Sequence, residues 1–161
     1  MIIHRGHESV LEHASATFRI SGVSRALTHQ LLRHCFCFFI QKSQRYINED
    51  NFSYVEPYSI KNIPKAHALF ANLMDEIKTS YERLRRLGIK KEDARFILPN
   101  SAVSDLVFTS NFRELRYLIK LRGENAAQWE IRNLVIEMLH LLKKEVPEVF
   151  LILKLIVNKK S

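Results

Sequence analysis

Apolar positions along this chain recur with two periods, and each period predicts a different element. A long helix starts at Pro64, where Ala66, Leu69, Phe70, Leu73, Ile77, Tyr81 and Leu84 share a stripe, and Gly88 ends it. "AAQWEIRNLVIEMLHLLKKEV" carries Ile131, Leu134, Val135, Met138 and Leu142 at helical spacing. Pro147 interrupts that pattern, and "EVFLILKLIV" follows as helix or strand. Shorter helices are predicted at "HESVLEHAS", "KEDARFIL" (stopped by Pro99) and "NFRELRYLIKLR", with Asn111 near its cap. In "SRALTHQLLRHC", Ser24 is positioned to cap, and Ala26, Leu27, Gln30, Leu31 and His34 follow at helical spacing. Alternation predicts strands at "ATFRISGV" and "DLVFTS". "FCFFI" reads as a buried strand, and Phe52–Val55 as a short extended piece in an irregular crossing from Asn48 to Pro57. Helices dominate, so the pattern predicts an α+β domain: a small sheet packed by several long helices.

Composition narrows this picture. The 161 residues suffice for a single domain over 1–161 with a real core, and 47% hydrophobic with 26% charged residues is ordinary for a globular domain. No apolar run reaches the roughly 18 residues of a membrane-spanning helix, so no membrane role is expected. Two cysteines and a start without a signal-peptide layout point to the cytoplasm. The net charge of +8 and a pI near 9.7 suit partners that carry phosphate. Lysines crowd surface-like stretches, whereas Arg33, Arg45, Arg95, Arg113 and Arg122 stand among apolar residues. There a guanidinium can grip phosphate or carboxylate through two parallel hydrogen bonds.

Four stretches carry candidate chemistry. Cys35 and Cys37 lack a second cysteine pair for structural zinc and read as small core hydrophobes. His4, His7 and His13 cluster near the start, but without a metal-binding spacing a capped helix with internal hydrogen bonds explains them better. "SQRY" at residues 43–46 offers a hydroxyl, an amide, a guanidinium and a phenol, as suits an anion pocket or a solvated loop. On "NFRELRYLIKLR", Arg116 and Lys120 form a like-charged i, i+4 pair that asks for an acid nearby.

Together these blocks resemble the flavin-dependent thymidylate synthases. That family's signature is Arg-His-Arg, seven residues, then Ser; here it reads Arg33-His34-Cys35, seven residues, Ser43. "GHESVLEH", "SRALTHQLLRH", "SQRY", "EDARFILPN", "NFRELR" and "LR" followed by "AQWEIR" stand in the family's order, to about Phe150. The resemblance implies methylation of dUMP at C5 to dTMP, a methyltransferase activity in nucleotide biosynthesis. Methylenetetrahydrofolate supplies the carbon, and NADPH reduces FAD, which delivers hydride. It implies no cysteine nucleophile, in agreement with the structural reading of both cysteines. It also implies a homotetramer whose active sites are shared between subunits.

By position, Gln30, Arg33, Gln41, Lys42, Ser43, Gln44, Arg45 and Arg95 match dUMP contacts, with Ser43 and Arg45 on the phosphate. Arg122 matches the catalytic residue credited with polarising the uracil. Ser9, Arg33, His34, Cys35, Gln41, Asn111, Phe112, Arg113 and Tyr117 match flavin contacts, and His7 and Glu12 are expected to line the same site. No metal is implied.

The chain also departs from the family's pattern. Cys35 replaces the signature's second arginine and removes a cation from the flavin region. Tyr117 stands where His or Asn is usual, and Ile40-Gln41 where Asn-Glu is frequent. Met1 lies only five residues before Gly6, so the usual N-terminal strand and helix are expected to be missing. The alternative is a non-catalytic homologue that binds nucleotide or flavin without turnover. A basic nucleic-acid-binding domain ranks behind both, because no helix-turn-helix, zinc or RNA-binding signature is present.

Overall fold

The computed structural model describes residues 7–46, 49–151 and 153. Its strands are β1 (Ser15–Ser24), β2 (Cys37–Gln41) and β3 (Val103–Asn111), in the antiparallel order β1-β3-β2. The α-helices are α1 (Arg25–Leu31), α2 (Tyr58–Lys61), α3 (Pro64–Arg86), α4 (Lys91–Ala94), α5 (Phe112–Arg122), α6 (Trp129–Glu145) and α7 (Pro147–Phe150). Two 3-10 turns, Glu8–His13 and Arg95–Ile97, complete the described elements. This is the α+β arrangement that the patterning predicts.

The chain divides into two compact units. The first comprises Met1–Arg19, His29–Ile40 and Val107–Ser161. Its core gathers Leu11, Leu31, Phe108, Leu115, Leu118, Ile119, Ile131, Val135 and Phe150, all at most 4% exposed. Phe108 sits between Phe39 and Phe18, with ring centroids at 5.4 and 6.3 Å. Phe112 meets Phe150 edge-on at 5.4 Å. Both long helices of this unit begin with side-chain caps. Asn111 Oδ1 accepts the Glu114 N–H at 2.9 Å, and Gln128 Oε1 accepts those of Glu130 and Ile131. These bonds satisfy amides that have no carbonyl one turn earlier.

The second unit comprises Ile20–Thr28 and Gln41–Leu106. Phe52, Met74 and Ala102 form its apolar cluster, flanked by Tyr54, Phe70, Ile77 and Leu98. Pro64 occupies the first turn of α3, where its missing N–H costs nothing. Gly88 takes φ +84° after the helix. Its N–H reaches the Arg85 carbonyl and that of Ile89 reaches Leu84, so a left-handed residue closes the last turn. Ser24 caps α1 as predicted, its Oγ accepting the Leu27 N–H at 3.0 Å.

Several expectations need correction. "FCFFI" is not a buried strand: Phe36, Phe38 and Ile40 are 74–77% exposed, whereas Cys37 and Phe39 are half-buried. β2 lies at an edge of the sheet order, and alternate side chains point to opposite faces, only one of which is covered among the described residues. Cys35 is exposed ahead of the strand, so only Cys37 is partly in the core. α1 ends at Leu31, so His34 lies in the turn beyond it rather than on the helix. Leu69 and Leu73 on α3 are exposed, and Met74 and Tyr81 carry the buried face. After Pro147 the chain makes one helical turn, α7. Most of the remaining apolar tail, and the positions of His4, Ile47 and Asn48, lie outside the described residues.

Candidate functional site

The residues assigned by position sort between the two units. Ser9, Gln30, Arg33, His34, Cys35, Asn111, Phe112, Arg113, Tyr117 and Arg122 fall in the first. Gln41, Lys42, Ser43, Gln44, Arg45 and Arg95 fall in the second.

In the first unit the geometry centres on His34, which is 5% exposed. Its Nδ1 lies 3.1 Å from Glu114 Oε1, and its Nε2 lies 3.3 Å from Arg122 Nε. A guanidinium N–H only donates, so Nε2 must offer its lone pair. That leaves the proton on Nδ1, where the Glu114 carboxylate accepts it. The hydrogen-bond partners thus assign His34 as the neutral Nδ1–H tautomer. The Tyr117 ring meets the imidazole edge-on at 6.3 Å and is itself 56% exposed.

Around this centre, Arg33, Cys35 and Ser9 are exposed, and Gln30 is half-buried with hydrogen-bonding of its own. Arg113 is exposed and paired with Glu12, so two residues expected at one site do meet. Asn111 and Phe112 have structural work already: one caps α5, and the other packs on Phe150. The like-charged pair on α5 finds its acid. Arg116 donates to Glu8 Oε1 at 3.3 Å and to the Val149 carbonyl at 2.6 Å. Cys37 donates to Ser110 Oγ at 3.4 Å. Burial pushes its thiol up from the ordinary value, against the opposing pull of that hydrogen bond. Such a thiol is a poor nucleophile.

The second unit gathers cations around two carboxylates. Arg45 Nε donates to Glu92 Oε2 at 2.7 Å, and Arg95 Nε donates to the Glu92 carbonyl at 3.1 Å. Lys42 pairs with the buried Glu49 at 3.3 Å. Ser43 Oγ accepts the Arg45 N–H at 3.3 Å, which folds the loop back on itself. Arg45 also lies 5.5 Å from the Tyr46 ring centroid, and Gln44 is buried. Gln41 donates from its amide to Thr28 Oγ1 at 3.0 Å and Ser104 Oγ at 2.9 Å. Thr28 gives its own proton to the Arg25 carbonyl, so it must accept here, which fixes the orientation of the Gln41 amide. Burial, and then the neighbouring Arg95, pull the Arg25 guanidinium down from its ordinary value, with Glu49 opposing. Half-buried cations crowded this way favour an anion between them. A separate concavity of about 340 Å³ in this unit is lined by Asp50, Glu82, Arg85 and Arg86, none of them a predicted contact.

Sequence reasoning missed Glu114, Glu49, Glu92 and Arg25. Glu114 stands three residues after a capping Asn, a position that reads as purely local helix chemistry. Only the fold delivers its carboxylate to His34, 80 residues away in sequence.

The described elements define an α+β protein with a buried histidine between a carboxylate and a guanidinium in one unit and a cationic loop cluster in the other. A family model described as "Thymidylate synthase complementing protein" matches residues 1–148, and the chain belongs to that family. It is 45% identical over 151 residues to a flavin-dependent thymidylate synthase of Geobacter sulfurreducens, covering 92% of this chain and 65% of that protein. A protein of the same name from Nitratidesulfovibrio vulgaris is 43% identical over 157 residues, covering 92% and 64%. One from Pyrococcus abyssi is 45% identical over 147 residues, covering 89% and 60%. The chain therefore spans 60–65% of the length of these relatives. Among the described residues no helix is long and apolar enough to cross a membrane.

Proposed function

We propose that this chain is, like the relatives it matches, a flavin-dependent thymidylate synthase, and that its reaction is the reductive methylation of dUMP to dTMP. Methylenetetrahydrofolate is the carbon donor and NADPH the reductant. The observation that carries the reading is the half-buried Arg122 guanidinium, hydrogen-bonded to the buried His34 in a protein of this family. A permanent cation fixed in place stabilises negative charge as it develops on N3 or O4 of the pyrimidine, and it needs no reorganisation to do so. It cannot serve as general base, because it does not release its proton near neutral pH.

The flavin set fits FAD in part. Exposed Arg33 and Arg113 suit a pyrophosphate, and the exposed Tyr117 ring suits contact with a planar ring system. Ser9 and Cys35 are exposed as well, whereas the buried His34 contributes through its bond to Arg122, and Asn111 and Phe112 contribute mainly by shaping α5. Bound there, FAD supplies the hydride. In the second unit, Ser43 and Arg45 are the phosphate ligands, and Lys42, Gln41, Gln44 and Arg95 are further dUMP contacts. Binding dUMP there requires its phosphate to displace Glu92 from Arg45. That pair is exposed enough for the exchange to cost little.

We further propose that residues 1–161 form one domain of a cytoplasmic homotetramer with shared active sites. The uncovered face of Phe36, Phe38 and Ile40 is what such assembly would bury. The decisive experiment is an absorbance spectrum of the purified protein with FAD, before and after NADPH, followed by an assay for dTMP. Flavin binding, bleaching by NADPH and dTMP formation are the expected results. Binding of dUMP without turnover in the presence of FAD would instead establish a non-catalytic homologue.

A further inference from the structure

We infer that Glu114 is a positioning residue for Arg122, acting through the tautomer of His34. The inference rests on the proposed role of Arg122. Three observations carry it. Glu114, His34 and Arg122 form an unbroken hydrogen-bonded chain, with distances of 3.1 and 3.3 Å. His34 is 5% exposed and the Glu114 side chain 12%, so water competes weakly for either bond. Glu114 occupies the helix position from which a glutamate ordinarily reaches back to the capping residue, yet its carboxylate is spent on His34 instead.

The consequence follows from counting protons. Arg122 Nε–H is a donor at every accessible pH, so the bond to His34 exists only while Nε2 is bare. A free neutral imidazole can place its proton on either nitrogen. The carboxylate removes that choice by demanding a proton on Nδ1. Without it, the Nε2–H tautomer would set two donors against each other across 3.3 Å and release the guanidinium. Carboxylate, imidazole and guanidinium thus act as one unit whose output is the direction of the Arg122 side chain. α5 supplies both ends of it, with Glu114 in its first turn and Arg122 at its last residue, and the turn after α1 supplies the middle.

The test uses the full chain labelled with ¹⁵N-histidine, the His34 signals being assigned by their loss in His34→Gln. Long-range ¹⁵N–¹H correlations distinguish the two neutral tautomers directly. Wild type is expected to give Nδ1–H. Glu114→Gln keeps an acceptor at that position, so it should keep the tautomer and rescue most of kcat/KM. Glu114→Leu removes the acceptor, so it should populate Nε2–H and lower kcat/KM for dUMP by about ten- to a hundredfold, the worth of one hydrogen bond to a charged group. An Nε2–H signal in wild type, or an unchanged tautomer in Glu114→Leu, overturns the inference. If Glu114→Leu does not fold, wild type and Glu114→Gln decide: Nδ1–H in both upholds it, and Nε2–H in either overturns it. The tautomer needs no turnover to be read. A protein with the expected tautomer that makes no dTMP would therefore refute the proposed function and leave the hydrogen-bonded unit standing.

Discussion

Asn111 offers a substitution that separates holding the helix from holding the flavin. Its Oδ1 accepts the Glu114 N–H at 2.9 Å and so starts α5, the helix that carries Glu114, Tyr117 and Arg122. Replacing a capping Asn by Ala costs about 1 kcal/mol. For a chain of 161 residues the entropy of unfolding is about 0.34 kcal/mol/K, so that loss lowers Tm by about 3 °C. Asn111→Asp keeps the accepting oxygen and adds negative charge at a helix N-terminus, so it should stay within about 0.5 kcal/mol of wild type. It lacks the amide N–H₂, however. If that group also touches the flavin, Asn111→Asp will bind FAD more weakly while remaining as stable as wild type. The assays are denaturant unfolding at fixed protein concentration and fluorescence titration with FAD. Equal destabilisation by Ala and Asp, or none by Ala, would refute the capping argument.

Two other substitutions or treatments follow from the packing. Phe108 is fully buried between Phe18 and Phe39, so Phe108→Ala should cost about 3–5 kcal/mol and be read as loss of soluble folded protein or a large shift in urea midpoint. Alkylation by iodoacetamide, followed by mass spectrometry of peptides, should label exposed Cys35 well before Cys37. Burial raises the Cys37 thiol, so less thiolate is present there at any pH below its titration, and the difference should persist as pH is raised to 9.

How much was legible beforehand depends on how local each signal was. Pro64, Gly88, Ser24 and Asn111 mark helix ends through their own backbone chemistry, and each stands where it was expected. On α6, Ile131, Val135, Met138 and Leu142 of the predicted stripe are buried, whereas Leu134 is half-buried. "FCFFI" misled because strong hydrophobicity says nothing about whether a partner is present to cover a face. Leu69 and Leu73 are exposed on α3 for the same reason.

The sequence by itself determined the α+β class, most of the element boundaries and, through motifs in a fixed order, the family. Those follow from backbone preference, periodicity and residue identity, all of which can be read along a line. Only the tertiary structure decided which charges meet. Glu114 reaches His34, and Glu92 reaches Arg45 across 47 positions, because hydrogen bonds form between groups that folding brings within about 3 Å, whatever their distance in sequence. The order of motifs names the family, whereas the surroundings of Arg122 include a carboxylate, relayed through His34, whose place in the sequence marks it only as part of a helix cap.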